Sequence, residues 1–530
     1  MCTDAADADL ESLWPSQLPR NAKKRYYSGH FGSYLGNAGQ YMHDRMEAAQ
    51  QQRQFQPWRL DMLIPHFALA SSPHRALAAR FAAPLLCAIL IALPGDGVVA
   101  QPAGLEKIQH VIVIYQENWS FDGLYGRFPG ADGIANAGER IRQMKKDGTP
   151  YTTLPQPLDT SKNPPIPDPR FPPDLPVAPY DAARYVPPDQ KTGDIVNRAL
   201  QQEHQINGGR MDGFVAWSEN GGLAMSYYDA TDLPVGRLAQ QYVLADHFFH
   251  SAFDGSLFNH FWLVCACTPV WQNAPANLVI QLDAQGVVVK NGSVTPDGYV
   301  VHTVYSTNRP YPASIKDPAQ LMPPLTMPTI GDRLSAKRIS WAWYSGGWND
   351  AVAGHPDALF QFHHQPFNYF APYAEGTAAR AEHLKDIEEF LAALRIGNLP
   401  AVAFVKPIGA YNEHMGYTDL LRGQQYVADL VKAVQSSAVW KDSVVIITYD
   451  EAGGRWDHVP PPRGDRWGPG VRVPAIIISP YAKRRFVDHT TYETTSILKF
   501  IETRWDLAPL SSRDAAANNL LNAFNFSQTP

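Results

Sequence analysis

The sequence predicts an α/β protein built on a mostly parallel central sheet with helices on both faces. Three observations predict it. Short β-branched runs without polar alternation recur along the chain, as buried parallel strands require. Segments of helical period lie between them. Polar, chemistry-bearing residues follow several of the runs directly, where the open sheets of α/β proteins bind their ligands.

The strand candidates are Val111-Ile-Val-Ile-Tyr115, Ile339-Ser-Trp-Ala-Trp-Tyr344, Val402-Ala-Phe-Val405, Val444-Val-Ile-Ile-Thr448 and Pro474-Ala-Ile-Ile-Ile478. Helices are expected at 379–394, 420–438 and 491–505. The Pro-dense stretch 148–190 reads as an extended surface excursion. Residues 278–330 read as an insertion in which Val287-Val-Val-Lys290 could pair with Gly298-Tyr-Val-Val-His302. No internal repeat is visible.

Residues 81–93 form a short apolar run preceded by Arg75 and Arg80 and followed by Pro94-Gly95 and Val98-Val-Ala100. These are the parts of a secretory signal, and a bilayer-spanning helix needs about 20 residues. The expected layout is a polar leader over 1–74 from an over-extended start, with Met62 as the initiator, and a signal peptide over 75–100. The protein would then be periplasmic or secreted. The formal net charge is −6 with no basic stripe, which argues against a nucleic-acid partner. Cys265 and Cys267 lack further Cys or His at ligand spacing and read as small buried hydrophobes.

The strand ends carry Gln116-Glu117-Asn118, Asp450-Glu451 before Gly453-Gly454, and, after Lys406-Pro, Asn412-Glu-His414. A lone carboxylate after a strand is commonly a cap or turn residue. Two adjacent ones repel unless a cation lies between them, so Asp450-Glu451 is the better signal. Oxygen donors Glu117, Asn118, Asp450, Glu451 and Ser256 suit one divalent ion such as Mg²⁺, Ca²⁺ or Mn²⁺, with Zn²⁺ open. Ser256 follows Gly255 where an apolar helix begins, a position that caps helices and also binds anions. Asn259 lies one turn on. His204, His363, His364 and His414 sit in polar or Gly-rich surroundings and could bind phosphate or donate protons. Asp457-His458 is open between loop structure and site.

Gln116-Glu-Asn-Trp-Ser-Phe-Asp122, Asn207-Gly-Gly-Arg-Met-Asp-Gly-Phe214, Phe362-His-His-Gln-Pro-Phe367, Asn412-Glu-His414 and Tyr449-Asp-Glu-Ala-Gly-Gly-Arg-Trp-Asp-His458 resemble the bacterial phosphoesterase family. That family joins acid phosphatase A-type enzymes and phospholipases C. The resemblance runs from about 108 to 506 and implies an alkaline-phosphatase-like fold and one catalytic domain over 101–530. It also implies that Glu117, Asn118, Asp450, Glu451 and Ser256 hold the metal. Ser256 would be the nucleophile, with His204, Asn259, His363, His364 and His414 around the phosphoryl oxygens. Gly255-Ser256-Leu-Phe-Asn259 is more similar to the phosphatase branch, whereas the phospholipases tend to carry Thr before a Pro-Asn-Arg-like stretch. Met415 departs from the Pro found in many relatives. The implied activity is that of an acid phosphatase on small phosphate esters, through a phosphoserine and with an acidic optimum if imidazolium groups serve. A phospholipase C acting on membrane lipid is the alternative, and a non-catalytic binding protein that keeps the fold is a third.

Overall fold

The computed structural model describes residues 102–528 except residue 285. The leader and the export signal lie outside these residues. Eight strands form the main sheet: β1 His110–Gln116, β2 Val243–Ala245, β3 Trp341–Ser345, β4 Leu384–Asp386, β5 Val402–Lys406, β6 Ser443–Tyr449, β7 Ala475–Ile478 and β8 Phe486–Asp488. Their order is β4-β3-β5-β1-β6-β7-β2-β8. The sheet is mostly parallel, as the sequence predicts. β7 alone among these strands runs against its neighbours β6 and β2. Its Ala-Ile-Ile-Ile run gave no sign of direction, because a strand buried on both faces looks alike either way.

Every residue of β6 is buried, and so is all of β1 beyond His110. The sheet centre is therefore covered on both faces. Val111 pairs with Val402 on one side and with Val444 on the other, which aligns the ends of β5, β1 and β6. The covering helices include α1 Ala199–Ile206, α2 Ser256–Cys265, α3 Ile387–Arg395, α4 Leu420–Gln435 and α5 Thr494–Trp505. α4 buries Leu420, Gly423, Gln424, Val427, Leu430, Val431 and Val434, one stripe at helical spacing, and the Asp419 carboxylate caps its first turn.

Three local expectations are corrected. The helix expected over 379–394 is broken: Ala378–His383 is helical, Leu384–Asp386 forms edge strand β4 against β3, and α3 follows. Asp386 makes the break, because it closes a capping box with Glu389 that starts a new helix. Val288–Lys290 pairs with Gln281–Leu282 and not with 298–302, so the hairpin closes over the shorter loop. Cys265 and Cys267 form a disulfide. Cys265 ends α2, and the left-handed Ala266 (φ 45°) folds the chain back, leaving the Cα atoms 5.1 Å apart, within bridging distance.

Asp457-His458 lies in a buried network of charged groups. Arg472, fully buried, donates to Asp457 Oδ1 (2.8 Å) and to Asp122 Oδ1 (3.2 Å). His458 Nδ1 lies 2.6 Å from Asp122 Oδ2. Removing one member strands a buried charge, so Arg472→Ala should cost about 3–5 kcal/mol in urea unfolding. Burial opposes protonation of His458, but the Asp122 carboxylate outweighs it and raises the imidazole above its ordinary range. The stability from this pair is complete below about pH 6.5, the unfolded value. It is lost as pH rises through the higher folded value. The melting temperature of the wild type relative to His458→Gln should fall across that window, and a flat difference would contradict the pairing.

Candidate active site

Parallel strands deliver their following residues to one edge, and the candidate site stands there. β1 leads into Glu117 and Asn118, β5 ends on Lys406, and β6 leads into Asp450 and Glu451. Glu117, Asn118, Asp450 and Glu451 are all buried. Asn118 adopts a left-handed backbone (φ 68°). Gly453 (φ 63°) turns the chain behind Glu451, and a Cβ there would fall 2.4 Å from the Asn118 carbonyl oxygen, so only glycine fits.

Ser256 is the first residue of α2, and Gly255 occupies the cap position. The hydroxyl therefore does no capping; it donates to Glu117 Oε2 at 3.0 Å. The loop before it holds Asp254 at φ 109°, a region costly for a residue with a Cβ. Asn259 stabilises that loop. Its Oδ1 accepts from Ala252 N (2.9 Å), and its Nδ2 donates to the carbonyls of Ala252 (3.1 Å) and Asp254 (2.9 Å). Asn259 thus lies beside Ser256 as expected, but its amide serves the backbone and has no proton left for a phosphate oxygen.

The histidines divide. His364 Nε2 lies 2.9 Å from Glu117 Oε1, and His363 packs edge-on against His364. His414 stacks on Tyr417 with ring centroids 3.9 Å apart, and its Nδ1 lies 3.8 Å from Asp194 Oδ1. Met415 is buried, its carbonyl lies 2.6 Å from His414 Nδ1 and its sulfur 2.9 Å from Arg455 Nε. His204 makes other contacts: it is exposed and stacks on Trp217 at 4.0 Å. In α1 it is Gln202 that reaches the nucleophile loop, accepting from Asp254 N at 3.4 Å. Two helical positions further on, about 200° round, His204 points away.

Sequence reasoning missed three groups. Lys406 is fully buried and pairs with Glu117 Oε1, with Asp450 Oδ2 at 3.9 Å. It follows a strand like Glu117 and Asp450, so the same rule could have found it. His260 is buried one turn after Ser256, with Nδ1 2.6 Å from the Ser256 carbonyl and its ring stacked on His364 at 5.2 Å. Asn197 donates to Glu451 Oε2 at 2.8 Å; nothing near it in the sequence signalled that role.

Electrostatics follow from burial. Desolvation, then Glu117, holds Asp450 well above the carboxylate range, and desolvation pushes Glu451 up to about 8. Glu117 is also desolvated, but His364 and Lys406 outweigh that and keep it well below its usual value. Burial takes His364 down to about 4 and His363 and His260 well below 6.5. Burial thus works against the imidazolium form expected from sequence at His363 and His364.

Ionising all three buried carboxylates against one ammonium would leave a deficit of positive charge, and Asn118 Oδ1 has no hydrogen-bond partner among the described residues. Oxygen ligands of Glu117 and Asp450 lie within 4.8 Å of one another and of a His260 ring nitrogen. The donor set fits a divalent cation.

A family model described as the phosphoesterase family matches residues 108–508. Phospholipase C B of Mycobacterium tuberculosis is 23% identical over 483 residues, covering 81% of this chain and 80% of that protein. A non-hemolytic phospholipase C of Burkholderia pseudomallei is 26% identical over 468 residues, covering 80% of this chain and 60% of that protein. A solved protein of the alkaline phosphatase superfamily from Vibrio parahaemolyticus aligns over 60% of this chain and 70% of its own, at 10% identity and a TM-score of 0.28. That overlap is too slight to bear on the fold.

Lys406→Met should destabilise the protein in EDTA by about 3–5 kcal/mol, since it leaves Glu117 unpaired. Added Mn²⁺ or Mg²⁺ should recover part of the loss by restoring a counter-charge, measured by urea unfolding.

Proposed function

The chain belongs to the phosphoesterase family and is a hydrolase of phosphoric ester bonds; from that premise we propose that it cleaves phosphomonoesters through Ser256. The observation that carries the reading is the Ser256–Glu117 hydrogen bond at 3.0 Å, at a helix N-terminus and beside the carboxylate cluster. The α2 N-terminus offers unpaired backbone N–H groups to the phosphoryl oxygens. Lys406 and His363, whose Nδ1 has no partner among the described residues, add donors, which suits the extra charge of a monoester dianion.

Ser256 Oγ bonds to phosphorus as the bond to the leaving oxygen breaks, giving a phosphoserine. Glu117 takes the hydroxyl proton, and His414, whose side chain is 11% exposed, gives the leaving oxygen its proton. Water then attacks phosphorus and gives its proton to His414, the bond from phosphorus to Ser256 Oγ breaks to release phosphate, and Glu117 returns its proton to Ser256. Asn259 takes the role of holding the nucleophile loop, and His204 has none in the chemistry. Glu117, Asn118, Asp450, Glu451 and Ser256 would hold one divalent cation, which supplies Lewis acidity to the nucleophile and to the phosphoryl oxygens when bound.

A second reading, a phospholipase C-type diesterase, is favoured by the names of the relatives. Export belongs to the same proposal and rests on the apolar run at 81–93. Among the described residues, no helix is long and apolar enough to cross a membrane.

Ser256→Ala should lower kcat at least 10³-fold with an unchanged circular dichroism spectrum, because the hydroxyl caps nothing. Wild-type turnover in that variant would remove Ser256 as nucleophile. p-Nitrophenyl phosphate should be cleaved faster than p-nitrophenylphosphorylcholine, and EDTA should suppress both. A preference for the diester would establish the second reading and leave the nucleophile in place.

A further inference from the structure

A second group of ligating side chains stands on the same sheet edge, at its other end. Asp246 and His247 follow β2, His489 follows β8, and the two strands are paired with Ala245 opposite Asp488. One ligand atom from each of Asp246, His247 and His489 lies within 4.8 Å of the others. Asp246 is fully buried. Its Oδ1 lies 2.9 Å from His247 Nδ1, and its Oδ2 lies 2.8 Å from His489 Nδ1.

We propose that Asp246, His247 and His489 form a second metal site, separate from the catalytic cluster, and that it takes zinc. The donor chemistry selects the ion: two imidazoles and a carboxylate suit Zn²⁺, whereas Mg²⁺ and Ca²⁺ prefer oxygen alone. Tetrahedral ligands at about 2.0–2.1 Å from the ion stand about 3.3 Å apart. The three ligand atoms lie within 4.8 Å of one another, so the exposed His489 ring has to close on the ion as it binds.

The surroundings are built as metal sites are. The far nitrogen of His247, Nε2, faces Asp132 Oδ2 at 3.4 Å, which leaves Nδ1 as the ligating atom. Asp132 is itself fixed: its backbone N–H donates to Asp246 Oδ2 at 2.7 Å, and its Oδ1 accepts from Asn136 Nδ2 at 2.8 Å. Arg472 donates to the carbonyl oxygens of Asp132 and Asp246 at 2.8 and 2.7 Å, locking both segments. The side chain of His489 is 60% exposed and gives the ion a way in from solvent. Bound zinc would tie β2 to β8 and to the Asp132 loop, a structural role.

The test is a zinc count by mass spectrometry on the full chain, stripped with chelator, loaded with zinc and dialysed. Wild type should retain one zinc more than His489→Ala, whose exposed side chain makes it safe for folding. Asp450→Asn, altered in the catalytic cluster, should keep this zinc. Asp132→Asn should weaken it about 10–100-fold. Zinc should raise the melting temperature of the wild type and of Asp450→Asn by more than that of their counterparts carrying His489→Ala. Equal zinc content in wild type and His489→Ala, or no such thermal difference, would overturn the site and leave a hydrogen-bonded ion-pair network in its place.

Discussion

The fold is organised around one electrostatic difficulty, the burial of Glu117, Asp450 and Glu451 together at the ends of two neighbouring strands. Like charges so placed resist ionisation, as the raised values of Asp450 and Glu451 record. Lys406 on the adjacent strand answers part of the charge, and it can do so because parallel pairing brings three strand ends to one level. A cation in the oxygen cluster would answer the rest. The left-handed Asn118, the tight Gly453 turn and the strained Asp254 are backbone costs borne where this arrangement demands them.

Much of the fold was legible because its strands are long hydrophobic runs. β1, β3, β5, β6 and β7 are all recognisable in the sequence. β2, β4 and β8 are three-residue strands, too short for any periodicity to emerge. The carboxylates and Ser256 were legible by position after a strand or before a helix. The work of Asn259 was not, because spacing puts a side chain beside its neighbour without saying which partner it satisfies. His204 shows the same limit from the other side: its motif context was informative, but helical phase turns it toward Trp217.

Polar residues recur at this edge at two depths. The candidate cluster around Glu117 is buried, whereas the Asp246 group opens to solvent through His489. Arg472 and its buried carboxylates lie behind the second group and hold its backbone through the Asp132 and Asp246 carbonyls.

The reversed direction of β7 bears on how this protein can diverge. β6 leaves the sheet at the catalytic edge and β7 re-enters at that edge, so the connection from Asp450 to Pro474 never crosses to the opposite side. It is a loop whose root carries two candidate ligands, whose Trp467 carbonyl accepts from Phe253 N (2.7 Å) beside the Ser256 loop, and whose exposed outer part is 462–464. Loop length carries only a slow entropic penalty. Insertions or deletions in that outer part can reshape what the edge admits while the strands and their ligands keep their register, so substrate range can evolve apart from chemistry.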